Sequence, residues 1–228
     1  MEINKLLTAI NYNKGNGKQN KYIVIHYVGA TGGAEANCRY FQRVNRGASA
    51  HYFVGHKGEI WQCVEDKDIA WHCGANKYKH PYCRNTNSIG IELCCRKNLS
   101  NGTWYFEDAT VKAAAELVKE LMQKYNIPVA NVIRHFDVTG KMCPEPYVRD
   151  TGAWNTFKAG LTAITSTSGY VVRITADVLN VRKGPGTGYG IVTTVKEGQA
   201  YTIVSESNGW GKLKSGVGWI KLSYTERV

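Results

Sequence analysis

The strongest constraint on the fold is a strand-like segment, residues 21–28, that is apolar on both faces. Its sequence, KYIVIHYV, is rich in β-branched and aromatic residues. A strand of this kind is expected at the centre of a sheet that is covered on both sides. His26, near its carboxyl end, is either a core histidine with satisfied hydrogen bonds or a side chain that enters a site.

A second predicted strand, residues 88–94, carries a carboxylate. Glu92 lies between two apolar residues and shares a face with Gly90 and Cys94. Carboxylates are rare inside apolar strands unless they are paired or functional. An exposed sheet face is the alternative, but the composition of residues 89–94 is that of an interior strand, which favours a functional role for Glu92.

A third segment, residues 132–144, holds an imidazole, an ammonium and a thiol within nine residues, namely His135, Lys141 and Cys143. It predicts a short strand that ends near His135, followed by a loop at residues 137–140. Histidine nitrogen and thiolate sulfur are both good zinc ligands. Lys141 could lower the pKa of the Cys143 thiol and could face a negative charge that forms at a metal. From this segment alone, a buried structural histidine with an inert cysteine is as well supported as a metal site.

The three segments together predict a catalytic zinc site. Parallel or mixed sheets place functional groups at the ends of their strands, where His26, Glu92 and His135 are expected. Two histidines and Cys143 leave the fourth tetrahedral position of zinc open for water. Glu92 could then deprotonate that water, and Lys141 could stabilise the oxyanion.

Further elements follow from periodicity and turn residues. They are a helix at 34–45, a β-hairpin at 49–54 and 59–64, a long polar loop from residue 70 to about 87, a helix at 108–125, and a last helix capped by Thr151. The predicted fold class is therefore α/β, with a mixed central β-sheet flanked by helices.

The pattern changes after a short Ser/Thr-rich stretch, TSTSG at residues 165–169. Beyond it the chain has short strands and Gly-rich turns with no helix signal, and it is long enough for a small β-barrel. We predict a catalytic domain at residues 1–163, a linker at 164–169 and a small all-β, SH3-like barrel at 170–228.

Composition limits the partners and the compartment. The net charge is +11, from 29 basic and 18 acidic side chains, and it is spread along the chain. A basic chain suits an anionic partner such as a cell wall, whereas the absence of a Lys/Arg-rich block argues against nucleic acid. No run of about 18 apolar residues is present, so no stable membrane insertion is expected. The polar first 21 residues lack the apolar stretch of a secretory signal, so we expect synthesis in the cytoplasm.

The chain resembles the zinc-dependent N-acetylmuramoyl-L-alanine amidases of the amidase-2 family, which are related to peptidoglycan recognition proteins. The matching pieces occur in family order and are IHY at 25–27, SAHYFV at 49–54, AWHCG at 70–74, NSIGIEL at 87–93, and RH at 134–135 with KMCP at 141–144.

The resemblance implies roles for individual residues. It implies that His26, His135 and Cys143 are the zinc ligands and that Glu92 and Lys141 are catalytic. Some relatives have a catalytic tyrosine where this chain has Ala50, which makes Glu92 the expected base. His51 and His72 lie in two of the matching pieces and are candidate substrate-binding residues, or alternative bases if Glu92 does not serve.

The tail resembles bacterial SH3 (SH3b) domains. The matching pieces are LNVRKGPG at 179–186, NGW at 208–210 and GWI at 218–220. This resemblance implies binding to peptidoglycan or other wall components. Together the two halves imply a phage or prophage endolysin that lyses the wall after passing through a phage-encoded pore. The alternative is a non-catalytic peptidoglycan-binding receptor.

Overall fold

The computed structural model describes residues 1–17, 19–162 and 164–228, without the side chains of residues 164–168. The chain divides into two compact units, Met1–Leu161 and Thr162–Val228. The predicted linker, 164–169, falls largely on residues whose side chains lie outside the described part, so the predicted domain limits stay a prediction.

The first unit contains both helices and strands. Its strands are β1 (Asn4–Lys5), β2 (Tyr12–Asn13), β3 (Tyr22–Tyr27), β4 (Tyr52–Val54), β5 (Ile60–Gln62), β6 (Ile69–Ala70), β7 (Ser88–Leu93), β8 (Arg96–Lys97), β9 (Trp104–Tyr105) and β10 (Val132–Arg134). Its helices are α1 (Ala34–Tyr40), α2 (Asp108–Tyr125), α3 (His135–Thr139), α4 (Glu145–Arg149) and α5 (Thr151–Thr162), with 3₁₀ turns at Asn85–Asn87 and Val129–Asn131.

Six strands form the central sheet, in the order β1-β5-β4-β7-β3-β10. Strands β4, β7, β3 and β10 run parallel to one another, and β5 pairs antiparallel with β4 in the predicted hairpin. β3 lies between β7 and β10, which confirms the interior position predicted for residues 21–28. The predicted α/β class with a mixed sheet is also confirmed.

Alternation along the strands separates the hydrophobic core from the polar groups. Ile23 and Ile25 on β3, and Ile89 and Ile91 on β7, are fully buried in a cluster that also contains α2 and α5 side chains. Because successive strand residues face opposite sides, His26 and Glu92 point to the other face. The sheet therefore has its largest core beneath α2 and α5, whereas its other face carries His26 and Glu92 beside two smaller apolar clusters that include Phe53 and Val24.

Helix α2 has the limits that the sequence predicts. Its apolar stripe buries Ala114, Leu117, Val118 and Leu121 against the sheet. Asn126 then takes a left-handed conformation, φ 52°, and its N–H donates to Met122 O, which ends the helix.

Three element boundaries differ from the predictions. α1 ends at Tyr40 rather than near residue 45, because the Asn11 side chain bonds the backbone of Phe41, Val44 and Arg46. The loop predicted at 137–140 is instead mostly the short helix α3. The last helix is capped by Asp150, not Thr151.

Each of the two unexpected helix starts has a local cause. The Asp137 carboxylate accepts the Arg134 N–H at 2.9 Å, and the Arg134 guanidinium donates to both Asp137 oxygens. The Asp150 carboxylate accepts the Ala153 N–H at 2.9 Å. Side-chain acceptors of this kind satisfy the free N–H groups of a first helical turn.

The second unit is all-β in its described residues, apart from a 3₁₀ turn at Leu222–Tyr224. Its strands are β11 (Ile164–Ile174), β12 (Val178–Arg182), β13 (Ile191–Lys196), β14 (Ala200–Ser207), β15 (Trp210–Leu213), β16 (Trp219–Lys221) and β17 (Thr225–Arg227). They pair antiparallel in the order β13-β12-β16-β15-β14-β11-β17. The unit has its own core, which includes Val172, Val181, Ile203 and Ile220. The all-β class predicted for the tail is confirmed.

No helix within the described residues combines the length and the apolar composition needed to cross a membrane.

Candidate metal centre

The carboxyl ends of three parallel strands bring the predicted site residues together. His26 and Glu92 are the fifth residues of β3 and β7 and lie directly opposite each other in the strand register. His135 follows the last residue of β10, the strand on the other side of β3. The sequence prediction that these side chains share one edge of the sheet is confirmed.

Cys143 reaches the same point because the chain folds back after α3. The Phe136 N–H donates to Cys143 O at 2.7 Å, which ties the returning segment to the residue after His135. The Cys143 N–H in turn donates to Lys141 O at 2.6 Å. The thiol is therefore held by the backbone of its own segment.

The three proposed ligands form a compact, buried group. One ligand atom from each of His26, His135 and Cys143 lies within 4.8 Å of the others. Cys143 Sγ is 3.7 Å from His26 Nδ1. The exposed fractions of these three residues are 1%, 6% and 3%, so the group is almost entirely closed to solvent.

Both histidines are neutral at neutral pH. Burial, followed by the neighbouring His135 and His72 rings, holds the pKa of His26 well below its usual value. Burial, followed by the charge of Lys141, lowers the pKa of His135 to about 4. Neutral imidazoles offer the nitrogen lone pairs that a metal ion requires.

The pKa of the Cys143 thiol is raised, whereas the sequence suggested that Lys141 could lower it. Lys141 does lower its pKa, as predicted, but burial and then the nearby Glu92 carboxyl raise it by more. Without a cation the sulfur therefore carries its proton. A metal ion that binds here has to displace that proton, so binding releases it.

Glu92 lies beside the group, and the pKa of its carboxyl is raised above the usual value. Its Oε1 is 3.9 Å from His26 Nδ1, and its side chain is 20% exposed. Burial raises the pKa of Glu92 to about 8, and the charge of Lys141 opposes this shift. A carboxyl that titrates near neutral pH can both accept and return a proton, which suits a general acid-base group.

The donor set fits a zinc ion. His135 Nδ1 and Glu92 Oε2 are buried and have no hydrogen-bond partner among the described residues. Buried polar atoms normally have one, so a ligand is the physical explanation for such atoms. Imidazole nitrogen and thiolate sulfur both bind zinc, and a site with three protein ligands keeps the fourth tetrahedral position for water.

A cleft of about 750 Å³ opens beside the group. Its lining includes Trp71, His72, Asn85, His135 and Lys141. Lys141 is exposed at its rim, which is the position from which an ammonium can meet a substrate carbonyl.

His51 does not have the substrate-binding position predicted for it. Its exposed fraction is 0%, so it presents no surface to a ligand. Its Nδ1 accepts the Gly90 N–H at 3.0 Å, and its Nε2 therefore donates to Asp68 O, 3.2 Å away. His51 fixes the backbone beneath the site. By contrast, His72 reaches the cleft, and its substrate-binding role stays a prediction.

Ser88 and Gly90 support the site from below, and the sequence patterns did not predict this role for either residue. The Ser88 hydroxyl is 3.1 Å from His72 Nε2. A Cβ on Gly90 would lie 2.4 Å from His72 Cγ, so only glycine leaves room for that ring. The alternation of Ser88, Gly90 and Glu92 on one strand face was the signal that could have identified them.

Residues 16–146 match a family described as N-acetylmuramoyl-L-alanine amidase, Amidase_2. This stretch covers more than half of the chain and includes all of the site residues described above. The chain belongs to this amidase family.

Outside the stretch that matches the amidase family, the chain carries a second known domain. Residues 177–226 match the bacterial SH3 domain. This match falls within the all-β second unit and confirms the resemblance seen in the sequence of the tail.

A curated relative of this amidase-family chain is a probable N-acetylmuramoyl-L-alanine amidase of Bacillus licheniformis. The two are 36% identical over 147 residues, which is 60% of this chain and 40% of the relative. The chain thus spans less than half the length of that protein.

Solved structures match the catalytic part closely. The catalytic domain of XlyA aligns with a TM-score of 0.58 and 30% identity, over 71% of this chain and 99% of that domain. A mutant endolysin from Bacillus subtilis aligns with a TM-score of 0.56 and 30% identity, over 71% of this chain and 99% of the other.

Proposed function

We propose that this chain is a zinc-dependent N-acetylmuramoyl-L-alanine amidase that cleaves the amide bond between N-acetylmuramic acid and L-alanine in peptidoglycan. The observation that carries the proposal is the buried His26, His135 and Cys143 group, with Glu92 at its edge, beside a cleft that His135 lines. Family membership supports the choice of bond.

His26, His135 and Cys143 would hold the zinc ion. Bound there, zinc supplies a Lewis acid that polarises the substrate carbonyl and lowers the pKa of water. Glu92 accepts the proton of the attacking water and returns it to the leaving amine of L-alanine as the C–N bond breaks. Lys141 places its ammonium toward the carbonyl oxygen as negative charge develops there.

The test is digestion of purified peptidoglycan with zinc-loaded protein, chelated protein and chelated protein resupplied with zinc. We expect new free amino groups on L-alanine and no new reducing sugar ends, with loss on chelation and recovery on resupply. Unchanged digestion after complete zinc removal would refute the zinc dependence. Wall binding without any cleavage would instead support the alternative of a non-catalytic receptor.

We further propose that the chain is an endolysin, made in the cytoplasm and released to the wall through a phage-encoded pore. The combination of an amidase domain with a bacterial SH3 domain, and the structural likeness to an endolysin, support this proposal. The test is expression in a bacterium whose wall it cleaves. Culture density should hold until the membrane is permeabilised and then fall, whereas lysis without permeabilisation would refute the need for a pore.

The second unit is proposed to bind the wall. Residues 169–228 carry eight basic and four acidic side chains. This charge favours anionic wall polymers, and the family of the domain supports the same partner. Nucleic acid and membrane are not proposed as partners.

A further inference from the structure

A chain of three hydrogen bonds, two buried and one partly buried, runs from a backbone carbonyl to the first proposed zinc ligand. The Ser88 hydroxyl donates to Arg84 O at 2.7 Å. Ser88 Oγ is 3.1 Å from His72 Nε2, and His72 Nδ1 is 3.1 Å from His26 Nε2. Ser88 is fully buried, and His26 and His72 are nearly so.

The direction of each of these three hydrogen bonds follows from the first, in which Ser88 donates to Arg84 O. A carbonyl oxygen only accepts, so the single hydroxyl hydrogen of Ser88 is used on Arg84 O. Ser88 Oγ can then only accept from His72, which places a hydrogen on His72 Nε2. The other nitrogen of a neutral His72 ring, Nδ1, is then an acceptor.

These bond directions determine which ring nitrogen of His26 carries the hydrogen. Because His72 Nδ1 accepts, His26 Nε2 carries the hydrogen, and His26 Nδ1 keeps its lone pair. Nδ1 is the nitrogen that faces the cluster, 3.7 Å from Cys143 Sγ and 3.9 Å from Glu92 Oε1. The opposite tautomer would point an N–H at the other two ligands and could not bind a metal.

We propose that His72 and Ser88 are positioning residues that fix the tautomer and the ring orientation of His26, so that it binds the metal through Nδ1. The proposal rests on the zinc site of the proposed function. Metal-bound histidines generally donate their second ring N–H to a fixed acceptor, and here that acceptor is another histidine. Both ring nitrogens of His72 are used inside the protein, so a contact of this ring with a substrate in the cleft would be made by its carbon atoms.

The packing around His72 agrees with a fixed ring. Gly90 leaves the space that the ring occupies, and the ring makes a T-shaped contact with that of His51, with centroids 5.6 Å apart. The Asn85 side-chain oxygen accepts the backbone N–H of His72 at 3.2 Å and that of Cys73 at 2.8 Å. The backbone of His72 is thus held as well as its ring.

The first test reads the tautomer directly in the zinc-loaded, full-length protein. Two-bond ¹H–¹⁵N correlation spectra of ¹⁵N-histidine-labelled protein distinguish the two ring nitrogens. We expect hydrogens on Nε2 of both His26 and His72, and a metal-shifted Nδ1 on His26. A hydrogen on His26 Nδ1, or an absence of bound zinc in the wild-type protein, would overturn the proposal without requiring any variant to fold.

The second test measures zinc affinity by competition with a chromophoric chelator. Ser88→Ala and His72→Leu should each weaken zinc binding by about 10- to 100-fold, the usual effect of removing an outer-shell partner. His72→Asn keeps an acceptor near the position of Nδ1 and should recover part of that loss. The matched control is Thr110→Val, because the Thr110 hydroxyl is also fully buried and donates to a carbonyl, that of Gly55, at 2.9 Å.

The outcomes separate this inference from the proposed function. Wild-type zinc affinity in Ser88→Ala, or an equal loss in the Thr110→Val control, would overturn the positioning role while leaving amidase activity standing. The expected tautomer and affinity losses in a protein that cleaves no peptidoglycan would refute the proposed function and leave the positioning role intact.

Discussion

At the scale of single residues, the two proposed catalytic residues, Glu92 and Lys141, lie in opposite environments. Glu92 is enclosed, with one carboxyl oxygen buried and unpartnered among the described residues, and its pKa is raised to about 8. Lys141 is exposed at the rim of the cleft, and its charge acts on Glu92, His26 and His135. The enclosed group is suited to moving a proton, and the exposed one to meeting an oxygen of the substrate.

Substitution of these two residues should remove catalysis but leave the metal in place. We expect Glu92→Gln to lower the rate of peptidoglycan hydrolysis by about 10²–10⁴-fold, the usual contribution of a positioned acid-base group. Lys141→Ala should lower it by about 10²–10³-fold, the usual cost of losing one charge-stabilising donor. Bound zinc and hydrolysis rate are measured on the same samples.

The control for the lysine is Lys112→Ala, which removes an exposed ammonium on α2, away from the cleft. It should hydrolyse peptidoglycan at the wild-type rate. If Glu92→Gln hydrolyses peptidoglycan as fast as the wild-type protein, Glu92 is not the base and the proposed proton transfer is wrong.

The chemistry-bearing residues could be predicted from sequence, whereas their supports could not. His26, Glu92, His135 and Cys143 are recognisable because their side chains are unusual in apolar strands or have metal-ligand chemistry. In the sequence, Ser88 and Gly90 are ordinary strand residues. Only folding places the ring of His72, which lies 16 residues before Ser88, against them. Their roles depend on a tertiary contact that no local pattern encodes.

At the scale of elements, the proposed metal centre would join segments that are far apart in the chain. His26 belongs to β3, His135 begins α3, and Cys143 follows α3 after a reversal of the chain. An ion held by all three is a cross-link that the unfolded chain lacks, so its binding free energy adds to the stability of the fold.

Zinc should therefore raise the melting temperature of the wild-type protein in a concentration-dependent way. At a free zinc concentration about 100 times the Kd, the expected gain is about 2.7 kcal/mol. In His26→Ala the melting temperature should not respond to zinc over the same range. Calorimetry or circular dichroism of both proteins with and without chelator measures the effect, and an equal zinc response in the variant would contradict the assignment of the ligand.

Helix α2 is expected to contribute only to the stability of the fold, and not to the proposed chemistry. Leu117 is 1% exposed within the cluster that joins α2 to the sheet. Leu117→Ala should lower the free energy of unfolding by about 2–5 kcal/mol through lost burial and a residual cavity. Urea unfolding measures this loss, with Glu116→Ala on the exposed side of the same helix as the control. A loss of the same size in the control would show that helix propensity, and not packing, carries the effect.

The limits of the elements show where sequence reasoning stops. The limits of α2 follow from its own periodicity and from Asn126, so they are predictable. The end of α1 is determined by Asn11, 30 residues before Phe41. The start of α3 depends on a carboxylate, Asp137, that caps backwards onto Arg134, in a segment too short for helical periodicity to show.

At the scale of the whole molecule, the two units have separate hydrophobic cores. The core of the first unit is formed by the central sheet with α2 and α5, and that of the second by side chains of its own strands. Each core is formed by residues of one unit, which is the property that allows domains to be separated.

Removal of residues 168–228 should therefore leave a folded, zinc-binding catalytic part that attaches less well to walls. We expect weaker co-sedimentation with purified cell walls and an unchanged zinc content. Sedimentation at rising salt separates the contribution of charge from that of specific contacts, because exposed charges are screened. Equal co-sedimentation of the full-length and shortened proteins would argue against a targeting role for the tail.

The two faces of the central sheet make heat resistance and chemistry separately adjustable. On β3 and β7, alternate residues belong either to the core beneath α2 and α5 or to the face that carries His26 and Glu92, where Val24 is packed in a smaller apolar cluster. Substitutions that improve packing beneath α2 and α5 therefore change side chains on the face opposite His26 and Glu92. A designer who wants a more heat-resistant variant can work from that side of the sheet and leave the proposed site residues in place.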